Sequence, residues 1–302
     1  MTEQKEKAEE EEEECEPMKI QILNEDDTTL KFVIDGIKDY EINALRRYLI
    51  REIPKLAIDT VEFHLGSIRS EEDGTEYESI TPLFDEVLAH RISLVPIPTD
   101  PEKFNFRKEC TCNGAGCPSC TVIYTLNVKS NKKDEMVTVY SGDLKPVGDP
   151  SMQIADKKIP LVKLAYKQGI LLYATAELGR AKNHAKWQVV NVAGYSEYPE
   201  IRIDNKKCMD ACEKCIDVCP PRILVKKGNN LTVTDESKCI LCNMCVKRCP
   251  DGAVEVRGNK EKYIFQLETD GSMSARKALL YSLQSLKEEF NQIGKFASEL
   301  KD

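Results

Sequence analysis

The stretch CILCNMCVKRCP, residues 239–250, carries Cys239, Cys242, Cys245 and Cys249, with Pro250 directly after the last. Thiolates separated by two, two and three residues and then a proline form the run that wraps an iron–sulfur cubane. The run has a double. Cys212, Cys215 and Cys219 recur thirty residues later as Cys242, Cys245 and Cys249, and Pro220 matches Pro250. Only the first member slips, since three residues separate Cys208 from Cys212 where two separate Cys239 from Cys242. In a two-cluster module the fourth thiolate of each run ligates the cluster of the other. The expected ligand sets are therefore Cys239, Cys242, Cys245 and Cys219 for one [4Fe–4S] cluster, and Cys208, Cys212, Cys215 and Cys249 for the other. The extra residue weakens the Cys208 cluster and leaves it open whether that site is labile, three-iron or absent. Two four-cysteine zinc sites are the alternative, because zinc also takes tetrahedral thiolates; the internal duplication and the two prolines favour iron.

A third group of four lies elsewhere. KECTCNGAGCPSCTV, residues 108–122, holds Cys110, Cys112, Cys117 and Cys120, with Gly114 and Gly116 free to make the tight turns that bring two cysteine hooks together. Zinc is the expected metal, with unliganded thiols, a disulfide or another metal as alternatives. Twelve of the thirteen cysteines fall in these groups, and Cys15 stands alone. Clustering of this kind points to metal in a reducing compartment rather than to disulfides.

Across the 302 residues, 41% are hydrophobic and 31% charged, enough for two or three domains. No apolar run approaches the roughly 20 residues of a membrane helix. The start, MTEQKEKAEEEEEECEP, lacks the basic and apolar regions of a signal peptide, so a cytoplasmic location is expected. Residues 1–17 carry nine Glu and two Lys, a net of −7; the chain totals −8, which leaves −1 for everything after them. A disordered acidic tail is the expectation there. The balanced remainder has no basic stripe with interleaved aromatics, so no sequence-specific nucleic-acid contact is expected.

Catalytic motifs are also missing. There is no P-loop or dinucleotide fingerprint, His64, His90 and His184 are scattered, and Asp26-Asp27 and Glu71-Glu72-Asp73 sit in polar, turn-like contexts. No catalytic residue is assigned.

Around the cysteines the chain reads as α+β. Residues 19–35 suggest a hairpin about a polar turn. Ile42, Leu45, Leu49, Ile50 and Ile53 recur at helical spacing up to Pro54. A mostly β region follows over 57–200, with one helical segment at 84–92. After KYIFQLETDGSMS comes a final helix in which Leu279, Leu283, Leu286, Phe290, Ile293, Ala297 and Leu300 form a heptad stripe. Such a stripe asks for a facing helix. Leu45 and Leu49 together with Leu279, Leu283, Leu286, Phe290 and Ile293 are the expected partner interface, while Arg46, Arg47 and Arg51 form a basic face off the first helix's stripe.

The segment NALRRYLIREIPKLAIDTVEF (43–63) resembles the opening motif of the α-like subunits of multisubunit RNA polymerases. Three further pieces follow in the order of that family: DEVLAHRISLVPI (85–97), LGRAKNHAKWQVV (178–190) and FQLETDGSMSARKALLYSLQSL (265–286). Within the family the ferredoxin-like insert points to the archaeal group, the α-like third subunits. The resemblance implies a dimerisation domain from 18–59, 188–203 and 256–302, an inserted β-rich domain at 60–187 carrying the zinc-type loop, and a ferredoxin-like insert at 204–255. It also implies a heterodimer with the small L subunit that seeds assembly of the large catalytic and small assembly subunits. The chain would be part of an enzyme without holding its active site. A ferredoxin-type electron-transfer subunit is the alternative, and it accounts for the cysteine runs alone.

Overall fold

The computed structural model describes residues 18–70, 74–208 and 213–299. The acidic segment 1–17 with Cys15, the run Glu71, Glu72 and Asp73, the ligand candidate Cys212, and Leu300 at the end of the heptad stripe lie outside the described residues. In chain order the strands and helices are β1 (Lys19–Glu25), β2 (Thr29–Asp35), α1 (Asp39–Arg51), β3 (Pro54–Phe63), β4 (Ser67–Arg69), β5 (Glu76–Glu78), α2 (Asp85–Ser93), β6 (Thr121–Lys129), β7 (Val137–Tyr140), β8 (Lys145–Val147), β9 (Pro160–Leu164), β10 (Gly169–Arg180), β11 (Val190–Ile203), α3 (Lys214–Asp217), β12 (Leu224–Lys227), β13 (Asn230–Val233), α4 (Met244–Arg248), β14 (Val254–Thr269) and α5 (Ala275–Glu299). The fold is α+β. No described helix is long and apolar enough to cross a membrane.

The first hairpin is closed by the Asp26 N–H, which donates to the Thr29 carbonyl at 2.8 Å, while the Asp26 carboxylate accepts from Asn24 and Thr29. Helix α1 begins with Asp39 and Glu41 at its positive end and finishes with Arg51 at its negative end. Glu41 also accepts from the Lys38 N–H at 2.8 Å. Pro54, which cannot continue a helical ladder, opens β3 instead. A four-stranded sheet runs in the order β1-β2-β14-β11. Its last strand contains Pro199, a residue that a sheet tolerates at an edge.

Two compact units can be separated by their internal contacts. The larger holds the antiparallel sheet β3-β10-β6-β8, in which Leu178 faces Leu56 and Ala174 faces both Val61 and Tyr124. Burial alternates along β6, with Val122, Tyr124 and Leu126 turned inward. Against them pack Leu88 and Ile92 of α2 and Val139, Leu161 and Leu164 of the β7–β9 ribbon. The same unit buries an ion pair, Lys55 with Asp270 at 2.5 Å, and the Lys55 ammonium also donates to the carbonyls of Lys186 and Gln188. All three donors of a buried ammonium are thereby satisfied.

Gly179 fixes the place of Trp187. A Cβ on Gly179 would lie 2.3 Å from two ring carbons of Trp187, whose Nε1–H donates to the Glu177 carbonyl at 3.2 Å. Gly179→Ala is expected to cost about 1–3 kcal/mol through overpacking, read as a lower urea midpoint. An unchanged midpoint would contradict this packing.

The smaller unit includes β11 from Tyr195 onward and β14 up to Phe265. Phe32 stacks on Phe265 at 5.4 Å, and Tyr195 stands edge-on to Tyr263 at 5.7 Å. Gly258 passes so close to Glu197 that any Cβ would collide with its side chain. The chain leaves this ladder where the Asp204 N–H donates to the Ala253 carbonyl at 2.9 Å, and everything between those residues is the cysteine-rich insert.

Candidate metal centres and an exposed helix face

The loop before β6 brings four sulfurs together. Asn113, Gly114 and Gly116 have φ of 53°, 81° and 95°, the left-handed region that glycine enters without strain. These turns are held by N–H donation from Asn113 to the Cys110 carbonyl, from Ala115 to that of Cys112, and from Cys120 to that of Cys117. Arg107 donates from Nε to the Gly114 carbonyl at 2.9 Å and ties the loop to its flank. The sulfurs of Cys110, Cys112, Cys117 and Cys120 all lie within 4.8 Å of one another. Three edges measure 3.5 Å (Cys110 to Cys117), 3.6 Å (Cys112 to Cys120) and 3.7 Å (Cys117 to Cys120). A tetrahedron of thiolates each about 2.3 Å from zinc has edges of roughly 3.8 Å, so the donor set fits a structural zinc ion. With thiols alone, the Gly116 amide draws Cys112 down to about 6, whereas burial pushes Cys120 up to about 12. Four thiolates cannot share so small a volume without a cation among them.

The insert gathers its cysteines differently. Cys215 lies in α3 and Cys245 in α4, both buried, and Leu241 and Asn243 take positive φ of 53° and 56° to turn the chain between Cys239 and Cys245. Cys219, Cys239, Cys242 and Cys245 line one cavity, walled by Ile201, Ile223 and Val256. Burial pushes the Cys239 and Cys245 thiols up, and the neighbouring cysteine sulfurs push the same way. An apolar chamber lined by four cysteine sulfurs has the donor chemistry of a thiolate-held iron cluster. Cys208 and Cys249 pack against the same buried core, which also contains Cys215, and the Cys249 sulfur accepts from the Ala253 N–H at 3.2 Å.

The helical residues expected at a partner surface divide. Leu45 and Leu49 are 4% and 0% exposed, buried within the chain itself, and so belong to its core rather than to an outer face. Periodicity identified the apolar stripe of α1, and the chain's own packing takes it up. Tyr48 of α1 reaches Glu289 of α5, its hydroxyl donating at 3.3 Å. On α5, Leu279 and Leu286 are half-buried, while Leu283, Phe290 and Ile293 are 41%, 63% and 61% exposed. Every residue from Lys287 to Glu299 is exposed. Phe296, 62% exposed, extends the apolar face and had no place in the heptad stripe, although its spacing of three from Ile293 was a usable signal. The edge strand β1 is also exposed throughout and, with Met18 just before it, shows Ile20 and Ile22.

The chain is similar to known proteins over most of its length. Residues 68–204 match the RNA polymerase Rpb3/RpoA insert domain, and residues 192–254 match a 4Fe-4S dicluster domain. The DNA-directed RNA polymerase subunit Rpo3 of Thermoplasma volcanium is 40% identical over 93% of this chain and 100% of its own length. Subunit Rpo3 of Picrophilus torridus is 41% identical over 93% of the chain and 100% of its own length, and that of Methanosphaera stadtmanae is 36% identical over 93% and 99%. Identity of this extent, running through the insert domain, the cysteine-rich insert and the terminal helix alike, places the chain in the archaeal Rpo3 family of DNA-directed RNA polymerase subunits.

Proposed function

We propose that the chain is a non-catalytic scaffold on which the polymerase assembles, pairing with the small L subunit and through that pair recruiting the large catalytic and small assembly subunits in the cytoplasm. The observation that carries this reading is the outer half of α5, where Leu283, Phe290 and Ile293 sit on a helix with no covering partner among the described residues. A soluble monomer rarely leaves a continuous apolar helical face in water. The division into a dimerisation domain (18–59, 188–203, 256–302), an inserted β-rich domain (60–187) and an iron–sulfur insert (204–255) belongs to the same reading. The test is to mix the purified chain with the L subunit. A stable one-to-one complex is expected, and two separate species at micromolar concentration would overturn the pairing.

In this reading two [4Fe–4S] clusters hold the insert together, one on Cys219, Cys239, Cys242 and Cys245 and one on Cys208, Cys212, Cys215 and Cys249. Ligation contributes folding free energy where apolar core is scarce, so oxidative loss of a cluster loosens the insert and slows assembly. Equal assembly by iron-loaded and iron-free protein would sink that link. Zinc closes the loop of Cys110, Cys112, Cys117 and Cys120. Cys112→Ser is expected to remove the single zinc per chain while leaving the iron content unchanged, as measured by elemental analysis.

A further inference from the structure

Beside the cysteine loop the larger unit contains a cleft of about 330 Å³, lined among others by Phe106, Arg107, Arg180, Lys182 and Trp187. We propose that this cleft receives a single carboxylate, the side chain of a glutamate or aspartate presented by another polymerase subunit. The charges in its wall point to that occupant. Arg107 is engaged, through Nη1 with Glu177 at 3.3 Å and through Nε with the Gly114 carbonyl. Lys182 is engaged with Glu52 at 2.7 Å. Lys108 stands next to Glu109 in the wall. The wall carries four cations (Arg107, Lys108, Arg180, Lys182) and two carboxylates (Glu109, Glu177), and Glu52, which does not line the cleft, pairs with Lys182, so one positive charge remains in excess.

Lys108 and Arg180 carry no ion pair among the described residues, and of the two Arg180 is the one held against an aromatic ring. Its guanidinium carbon lies 4.9 Å from the centre of the Phe106 ring, and no carboxylate among the described residues pairs with it. Its Nε is buried without a hydrogen-bond partner. A buried donor left unpaired is costly, and a planar guanidinium fork against an aromatic wall is shaped for the two oxygens of a carboxylate. A phosphate dianion would bring a second negative charge against Glu177 and Glu109. The proposal rests on the assembly reading only for the source of the carboxylate.

Trp187, the sole tryptophan of the chain, lines the cleft, so its fluorescence reports occupancy directly. The full-length chain is titrated at constant ionic strength with a capped Gly-Glu-Gly peptide, with its Gly-Gln-Gly counterpart and with inorganic phosphate. A saturable change in the millimolar range with the glutamate peptide, at least tenfold weaker with glutamine and with phosphate, is the expected result. In Arg180→Gln the glutamate response is expected to fall at least tenfold as well. No response, equal responses to glutamate and glutamine, phosphate binding as tightly, or full retention in Arg180→Gln would overturn the proposal. Because the two peptides are compared on the unaltered chain, a variant that misfolds does not decide the outcome. Failure here would leave pairing with the L subunit standing, since that is read by mixing the two subunits.

Discussion

Cys219→Ser is expected to remove about four irons per chain and to abolish stable folding of much of the insert. Cys219 comes from the first cysteine run, yet it lines the cavity of Cys239, Cys242 and Cys245 from the second. The crossed assignment therefore predicts loss of the second-run cluster from a first-run substitution. The effect is large because little else holds the segment. Among the described residues the buried core here holds Cys215, Cys219 and Cys245 beside Ile223, Leu224 and Leu231 of the insert and Val254 and Val256 of β14. A core that small does not offset the chain entropy of some fifty ordered residues without a staple. Amide exchange within β12 and β13, measured on anaerobic protein, is expected to become fast. Full iron retention with protection intact would show that Cys219 is not a ligand.

The double substitution Phe290→Asp with Ile293→Asp is expected to leave the chain's own urea midpoint nearly unchanged and to weaken pairing with the L subunit by about a thousandfold. Both side chains are more than 60% exposed, so their removal opens no cavity. In a helix–helix interface, truncating a central apolar anchor costs about 2 kcal/mol or more. Two such losses, near 4 kcal/mol, correspond to about three decades of affinity. A control at Leu49 should behave in the opposite way. Leu49 is fully buried within the chain, so Leu49→Ala is expected to cost about 2–5 kcal/mol of the chain's own stability.

Much of this was legible in the sequence because the signals are local. Alternation in TVIYTLNV gives β6, the i, i+3, i+4 pattern around Ile42 and Leu45 gives α1, and the thirty-residue offset gives the doubled cysteine runs. What periodicity cannot say is which surface an apolar stripe meets. Leu45 and Leu49 fit a partner-facing helix as well as a buried one, and the chain's own core claims them. The sequence predicts a strand only around KYIFQLET, yet β14 begins at Val254 and passes through Arg257, Gly258, Asn259 and Lys260. Those residues are poor strand formers, and pairing with neighbouring strands overrides their propensity. The Lys55–Asp270 ion pair and the Arg180–Phe106 contact join residues 215 and 74 positions apart, and no local pattern announces either.

One purification tests together whether this chain organises a polymerase and whether its cysteine clusters hold metal. The tagged chain is recovered anaerobically from its native cells, sized, assayed for RNA synthesis and analysed for metals. A large complex that synthesises RNA on a DNA template is expected, with about eight irons and one zinc for each copy of the chain. Recovery of the chain alone, or with a redox enzyme and no RNA synthesis, would contradict it.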